Sequence, residues 1–180
     1  MPEAWLKGPI EGVPVQLMPA AHSLMDAVEE IEDVVSGLAP EALWQRPGGA
    51  ASIGFHLRHS AGSIRRLLTY ARGGALKPEE IAAISREADP GTPPADAEEL
   101  LANLRKAVDL ALERFRRTNV EELEQPRKVG RAGLPSTTRG LLFHLADHTR
   151  RHAGQVVTTA RIIRGPGLAP SSPASRKNAS

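Results

Sequence analysis

The stretch Thr138–Arg164, TRGLLFHLADHTRRHAGQVVTTARIIR, decides how the rest of the chain is read. Leu141, Leu145, Val156, Thr159 and Ile163 recur at intervals that keep them on one face of an α-helix. Ser136 or Thr137 stands in front as an N-cap, and Gly165 and Pro166 follow as a stop. Within the stretch His144, His148 and His152 are spaced four apart. At about 100° and 1.5 Å per residue, such side chains lie one above the other. His148 and His152 fall inside the apolar stripe and His144 at its edge. Two imidazoles at i and i+4 can converge on one ion, each at about 2.0–2.1 Å. The zinc-protease helix motif uses the same geometry but needs a Glu directly after its first His. Here Leu145 follows His144 and Thr149 follows His148, which argues against a metalloprotease. The competing reading is that these are ordinary core or surface histidines. Two neutral imidazoles buried together would then need separate hydrogen-bond partners, whereas one divalent ion satisfies both.

Outward from this helix, three more segments carry helical spacing. Val15–Leu38 places Leu17, Ala21, Leu24, Val28, Ile31 and Val35 on one side and acidic residues such as Glu29, Glu30 and Asp33 on the other. Pro19 is tolerated in a first turn, or moves the start to about Met18. Pro40, Pro47, Gly48 and Gly49 mark a loop over 39–51. Ser52 caps a helix over Ile53–Ala71, which stops at Gly73 and Gly74. Residues 75–94 hold a short helix, Pro78–Ala88, and a Pro/Gly-rich turn. A further long helix is expected over Ala95–Thr118, and 119–135 reads as irregular with a short strand or extended crossing at 127–131. The expected organisation is an extended N-terminal arm (1–14), an all-α four-helix bundle with long connections (15–165) and a flexible tail (166–180). Connections of this length point to at least one crossover.

The composition narrows the function classes. The 180 residues fit one domain. Lys and Arg number 23 against 21 Asp and Glu, and acidic residues interrupt most of the basic ones, so no nucleic acid is expected as a partner. No window approaches the ~20 apolar residues of a membrane span, and no secretory signal pattern is visible, so the expected location is cytoplasmic, with no membrane partner. Aromatics make up 3 % of the chain, so the core must be largely Leu, Ala, Val and Ile. The absence of cysteine removes disulfides, thiolate metal sites and cysteine nucleophiles. A metal, if bound, must be held by His and carboxylates.

A third ligand should come from another helix. The second helix offers His56 and His59. His56 lies nearer the stripe of Ile53, Leu57, Ile64, Leu67 and Ala71, while His59 lies to one side, so periodicity slightly favours His56. His22 on the first helix is a weaker candidate.

Two stretches carry a resemblance. One is Ser-Ile-Gly-Phe-His-Leu-Arg-His (52–59) running on to Arg-Leu-Leu-Thr-Tyr-Ala-Arg-Gly (66–73); the other is Leu-Phe-His-Leu-Ala-Asp-His-Thr-Arg-Arg-His-Ala-Gly-Gln (142–155). In these the chain resembles the DinB-like superfamily, metal-binding four-helix bundles that include bacillithiol transferases and relatives of mycothiol-dependent maleylpyruvate isomerases. The resemblance implies a three-histidine metal site with one ligand from the second helix and two from the last. Those positions map to His59, His148 and His152, so it favours His59 where periodicity favours His56. Many relatives carry a further His just before the final ligand; here that position is Arg151.

Three histidines with an open position suit catalysis rather than a closed structural site. All-imidazole ligation accepts Zn, Ni, Fe or Cu; the expected cofactor is a divalent transition metal, Zn or Ni foremost, with Fe or Mn as alternatives. The resemblance implies a thiol S-transferase or isomerase acting on a small-molecule thiol and an electrophile, as a homodimer. The alternative is a non-catalytic metal-binding or stress-response bundle acting as a sensor or interaction module. Gln155, one turn beyond His152, is a candidate orienting residue, and Asp147 is expected to be solvated. Arg58, Arg65, Arg66, Arg150 and Arg151 are candidates for a basic rim that attracts an anion.

Overall fold

The computed structural model describes residues 3–165; the tail assigned to 166–180 lies outside them. Four long helices dominate: α1 (Met18–Val35), α3 (Ile53–Ala71), α5 (Ala97–Arg116) and α6 (Thr138–Arg164). Two short ones, α2 (Pro40–Leu43) and α4 (Pro78–Ile84), sit in the connections. A two-stranded antiparallel hairpin, β1 (Pro126–Val129) and β2 (Leu134–Thr137), leads into α6, with Arg127 opposite Ser136. α6 packs against α1 and α3, and α5 packs against α3 and α1, so the four close into a ring. The connections α1–α3 and α5–α6 therefore join helices on opposite corners, which explains their length.

Local chemistry sets the boundaries. The Ser52 side chain accepts from the Phe55 amide, that of Asp96 from Glu99 and that of Thr137 from Gly140, each satisfying an otherwise orphaned N–H of a first turn. Gly165, at φ 70°, ends α6 in a conformation few other residues adopt. The core is aliphatic: Leu24, Ile31, Leu57, Ile64, Leu104 and Leu145 are fully buried, with Phe115 the largest enclosed side chain.

The structure settles some of the alternatives left open and corrects other expectations. The first helix starts at Met18 after a 3-10 turn at Val15–Leu17, with Pro19 in its first turn. The arm is not simply extended. Ala4–Lys7 forms a 3-10 turn held on α1, with the Ala4 amide donating to Asp26 and Lys7 paired to Glu29 at 2.7 Å. The expected loop 39–51 contains α2 and another 3-10 turn at Pro47–Gly49. The third long helix runs over Ala97–Arg116 rather than Ala95–Thr118, because Asp96 supplies its cap. The segment around 127–131 is half of a hairpin closed through Gly130 and Gly133, both at positive φ.

Candidate metal centre

α6 presents different chemistry to its two neighbours. Leu142, Leu145, Ala146, Thr149, Ala153, Val156 and Ala160 form its buried face. Thr149 tolerates full burial because its hydroxyl donates to the Leu145 carbonyl at 2.7 Å. His148 and His152 therefore border the core on the α3 side, half-buried, rather than lying inside the stripe. α3 supplies His56, buried at 6 % exposure, and His59, half-buried one turn further on.

Four rings meet at this seam. Nε2 of His59 is 2.9 Å from Nε2 of His148, and Nε2 of His152 is 3.2 Å from the same atom. One nitrogen from each of His59, His148 and His152 lies within 4.8 Å of the other two. His56 stands behind this group, with its Nδ1 at 2.8 Å from Nδ1 of His152. Periodicity thus placed His56 correctly towards the core, but His59 is the α3 residue that converges with the α6 pair. His22 is elsewhere, its Nε2 2.9 Å from the Gly8 carbonyl, and His144 is exposed.

The far side of His59 is fixed by a residue that sequence reading missed. Glu87, from the turns after α4, is 6 % exposed. It accepts from Nδ1 of His59 at 2.7 Å through Oε2 and from Arg66 at 2.6 Å through Oε1. Burial pushes the Glu87 carboxyl upward, but the hydrogen bonds and charges of His59 and Arg66 outweigh that and hold it below its ordinary value. An ionised Glu87 accepts the hydrogen at Nδ1 of His59, so the neutral tautomer it selects has its lone pair on Nε2, the usual support of a metal-binding imidazole. A sequence trace of this arrangement existed in His59, Gly62 and Arg66, which share one face of α3 with a small residue between the two polar ones.

Electrostatics favours neutral rings at His56, His148 and His152. Desolvation, followed by the charges of His59 and His144, lowers His148 to about 4. Desolvation, followed by His148, His59 and His56, lowers His152 to about 3. His56 falls to about 4, first from burial and then from His59. Unprotonated nitrogens facing one another at 2.9 and 3.2 Å repel unless a proton or a cation lies between them. Tetrahedral binding at about 2.0–2.1 Å separates ligand nitrogens by roughly 3.3 Å, close to the distances here. The donor set therefore fits a transition-metal ion.

The expected basic rim is dispersed. Arg58 lies over the Trp44 ring and bonds the Asp89 carbonyl, Arg65 bonds Asn103, and Arg150 pairs with Glu30 on α1 at 2.7 Å. Arg66 is committed to Glu87. Arg151 remains at the seam, 3.2 Å from Asp147, and lines a cavity of about 540 Å³ together with His56, Gly154, Gln155 and Ile162. Asp147 is thus half-exposed and ion-paired rather than simply solvated. Among the described residues, no helix is long and apolar enough to cross a membrane.

Comparison with the curated proteins finds no match. The family model of the DinB superfamily matches residues 24–156, a span that runs from α1 into α6 and includes all three converging histidines. On that match the chain belongs to the DinB superfamily.

Proposed function

We propose that His59, His148 and His152 hold one divalent transition-metal ion and that the protein is a metal-dependent thiol S-transferase or isomerase. The observation that carries the reading is the convergence of three imidazole nitrogens from two helices, two of them on rings held neutral at physiological pH. In a four-coordinate ion three protein ligands leave a place for an exogenous one. An ion there supplies Lewis acidity, which lowers the pKa of a coordinated thiol or water towards neutrality. The protein's own groups do the rest. Glu87 holds His59 in the tautomer that keeps its Nε2 free. The half-buried edges of His148 and His152 keep the cluster within reach of a small molecule. Arg151, paired with Asp147, lines the cavity, where its guanidinium can also meet an anionic thiol or electrophile.

Elemental analysis of the purified protein beside a His148→Ala, His152→Ala double variant tests the metal. About one equivalent in the parent and none in the variant is expected. Saturating metal at about a hundred times its Kd should raise parent stability by about 2.7 kcal/mol over a chelator-treated sample. A parent that binds no metal after reloading overturns the reading. A screen of low-molecular-weight thiols with electrophiles then tests the activity, and a metal-loaded protein inactive towards all of them favours a sensor.

A further inference from the structure

His56 is the one histidine at the seam that the proposed metal site leaves without a role. Its ring is almost wholly enclosed, yet its Nδ1 lies 2.8 Å from Nδ1 of His152. Two imidazole nitrogens at that separation share a single hydrogen, so one donates and the other accepts. The direction follows from the opposite edge of His152. Its Nε2 faces His148 and belongs to the converging group. A lone pair on Nε2 requires the hydrogen on Nδ1. His152 then donates, His56 accepts, and His56 carries its own hydrogen on Nε2.

We propose that His56 is a positioning residue for the metal site, accepting from Nδ1 of His152 and so fixing the tautomer and ring plane that aim Nε2 at the ion. This rests on the metal-site reading above. Glu87 performs the corresponding task for His59, so two of the three ligands are anchored from behind, one by a carboxylate and one by a neutral imidazole. The arrangement of the rings explains why His56 is not itself a ligand. The His56 and His152 ring centroids are 5.0 Å apart, those of His59 and His152 4.8 Å, and those of His148 and His152 4.5 Å. His152 meets His56 at its Nδ1 edge and His148 at its Nε2 edge, so its ring stands between those two. His56 also lines the cavity beside Arg151 and Gln155, which places the anchor of one ligand in the wall of that cavity.

The test compares His56→Leu, which removes the acceptor, with His56→Asn, whose amide oxygen can occupy the place of Nδ1. Zinc affinity is read by competition with a chromophoric chelator, and the His152 tautomer by long-range 1H–15N NMR of the zinc-loaded protein. His56→Leu should bind zinc about 10–100-fold more weakly, the usual effect of losing such a partner. His56→Asn should stay within about threefold of the parent, since the hydrogen bond is retained. The parent spectrum should show His152 protonated at Nδ1. Parent-like zinc binding by His56→Leu overturns the proposal while leaving the metal site standing. Equal weakening in a folded His56→Asn also overturns it, because packing alone would then explain the loss. A parent that binds no zinc overturns the metal-site reading itself, and this is seen before any variant is compared. Should His56→Leu fail to fold, the parent spectrum decides: an unprotonated Nδ1 on His152 refutes the assignment.

Discussion

Replacing Glu87 by Gln changes one atom in a place where both oxygens are in use. Oε2 accepts from His59 at 2.7 Å and Oε1 accepts from Arg66 at 2.6 Å, and the carboxylate is 8 % exposed. An amide offers one acceptor, so one of the two donors must face an NH2 group. The charged guanidinium takes the oxygen, because hydrogen bonds to charged groups are the stronger ones. Nδ1 of His59 then faces a donor. The ring can keep its Nδ1 hydrogen against that donor, leaving a buried polar group unsatisfied at about 1–3 kcal/mol. It can instead move the hydrogen to Nε2 and lose the lone pair that points at His148. Either route weakens metal binding, by about 10–100-fold, in line with the loss of other such supports. Chelator competition at neutral pH measures this directly. Arg66→Gln is the control: it leaves the His59–Glu87 bond in place and should move zinc affinity much less, while lowering stability through the lost ion pair. Unchanged zinc affinity in a folded Glu87→Gln protein would refute the argument that Glu87 sets the His59 tautomer.

Two further outcomes follow from the same geometry. A Cβ at Gly62 would lie 2.6 Å from Oε1 of Glu87 and 2.7 Å from Nη1 of Arg66. Gly62→Ala should therefore lower zinc affinity severalfold and forfeit the roughly 1 kcal/mol that alanine ordinarily adds in a helix interior; a raised melting temperature with parent-like affinity would show that the ion pair shifts without consequence. In the metal-free protein, His56 and His148 protonate near 4 and His152 near 3, against 6.5 for an ordinary imidazole. Between those values the unfolded chain binds more protons, so stability rises with pH through that window and is lost as pH falls from about 6.5 towards 4. With their half-buried rings screened by solvent, His148 and His152 each contribute about 1 kcal/mol of loss at about pH 5. Denaturation of chelator-treated protein at about pH 7.5 and pH 5 should give the lower midpoint at pH 5, and equal midpoints would count against buried neutral rings.

The parts of the fold that were legible are those written in local chemistry. Ser52 and Thr137 cap the two site-bearing helices as their side chains indicate, and α6 spans the expected residues. The i, i+4 pair was visible for the same reason: helical geometry alone places His148 beside His152. What was illegible depends on pairing at a distance. The short strand expected at 127–131 is present, but its pairing was not legible: the hairpin joins Pro-Arg-Lys-Val to Leu-Pro-Ser-Thr, neither with the alternation that marks a strand. Glu87 falls within the expected short helix 78–88, but the helix ends at Ile84 and Glu87 lies in the turns beyond it, where its value comes from partners on α3 that the sequence separates from it.

The one misreading within α6 explains why the site lies where it does. An apolar stripe drawn through Leu141, Leu145, Val156 and Ile163 puts the histidines in the core. The buried face is instead completed by Ala146, Thr149, Ala153 and Ala160, which hydropathy undervalues. Because α6 contacts both α1 and α3, that face is wide, and each border meets a different helix. At the α1 border Arg150 reaches Glu30; at the α3 border His148 reaches His59 and His152 reaches His56. Rings at a border can be desolvated enough to stay neutral while keeping an edge open to small molecules. The same rings at the centre of the face would be shut away from any small molecule. The small residues on α6 and the histidines beside them are therefore parts of one arrangement. Enlarging Ala153, which is fully buried one residue from His152, should move the helix before it empties the core. Zinc affinity should consequently fall in Ala153→Leu although no ligand or hydrogen-bond partner has changed.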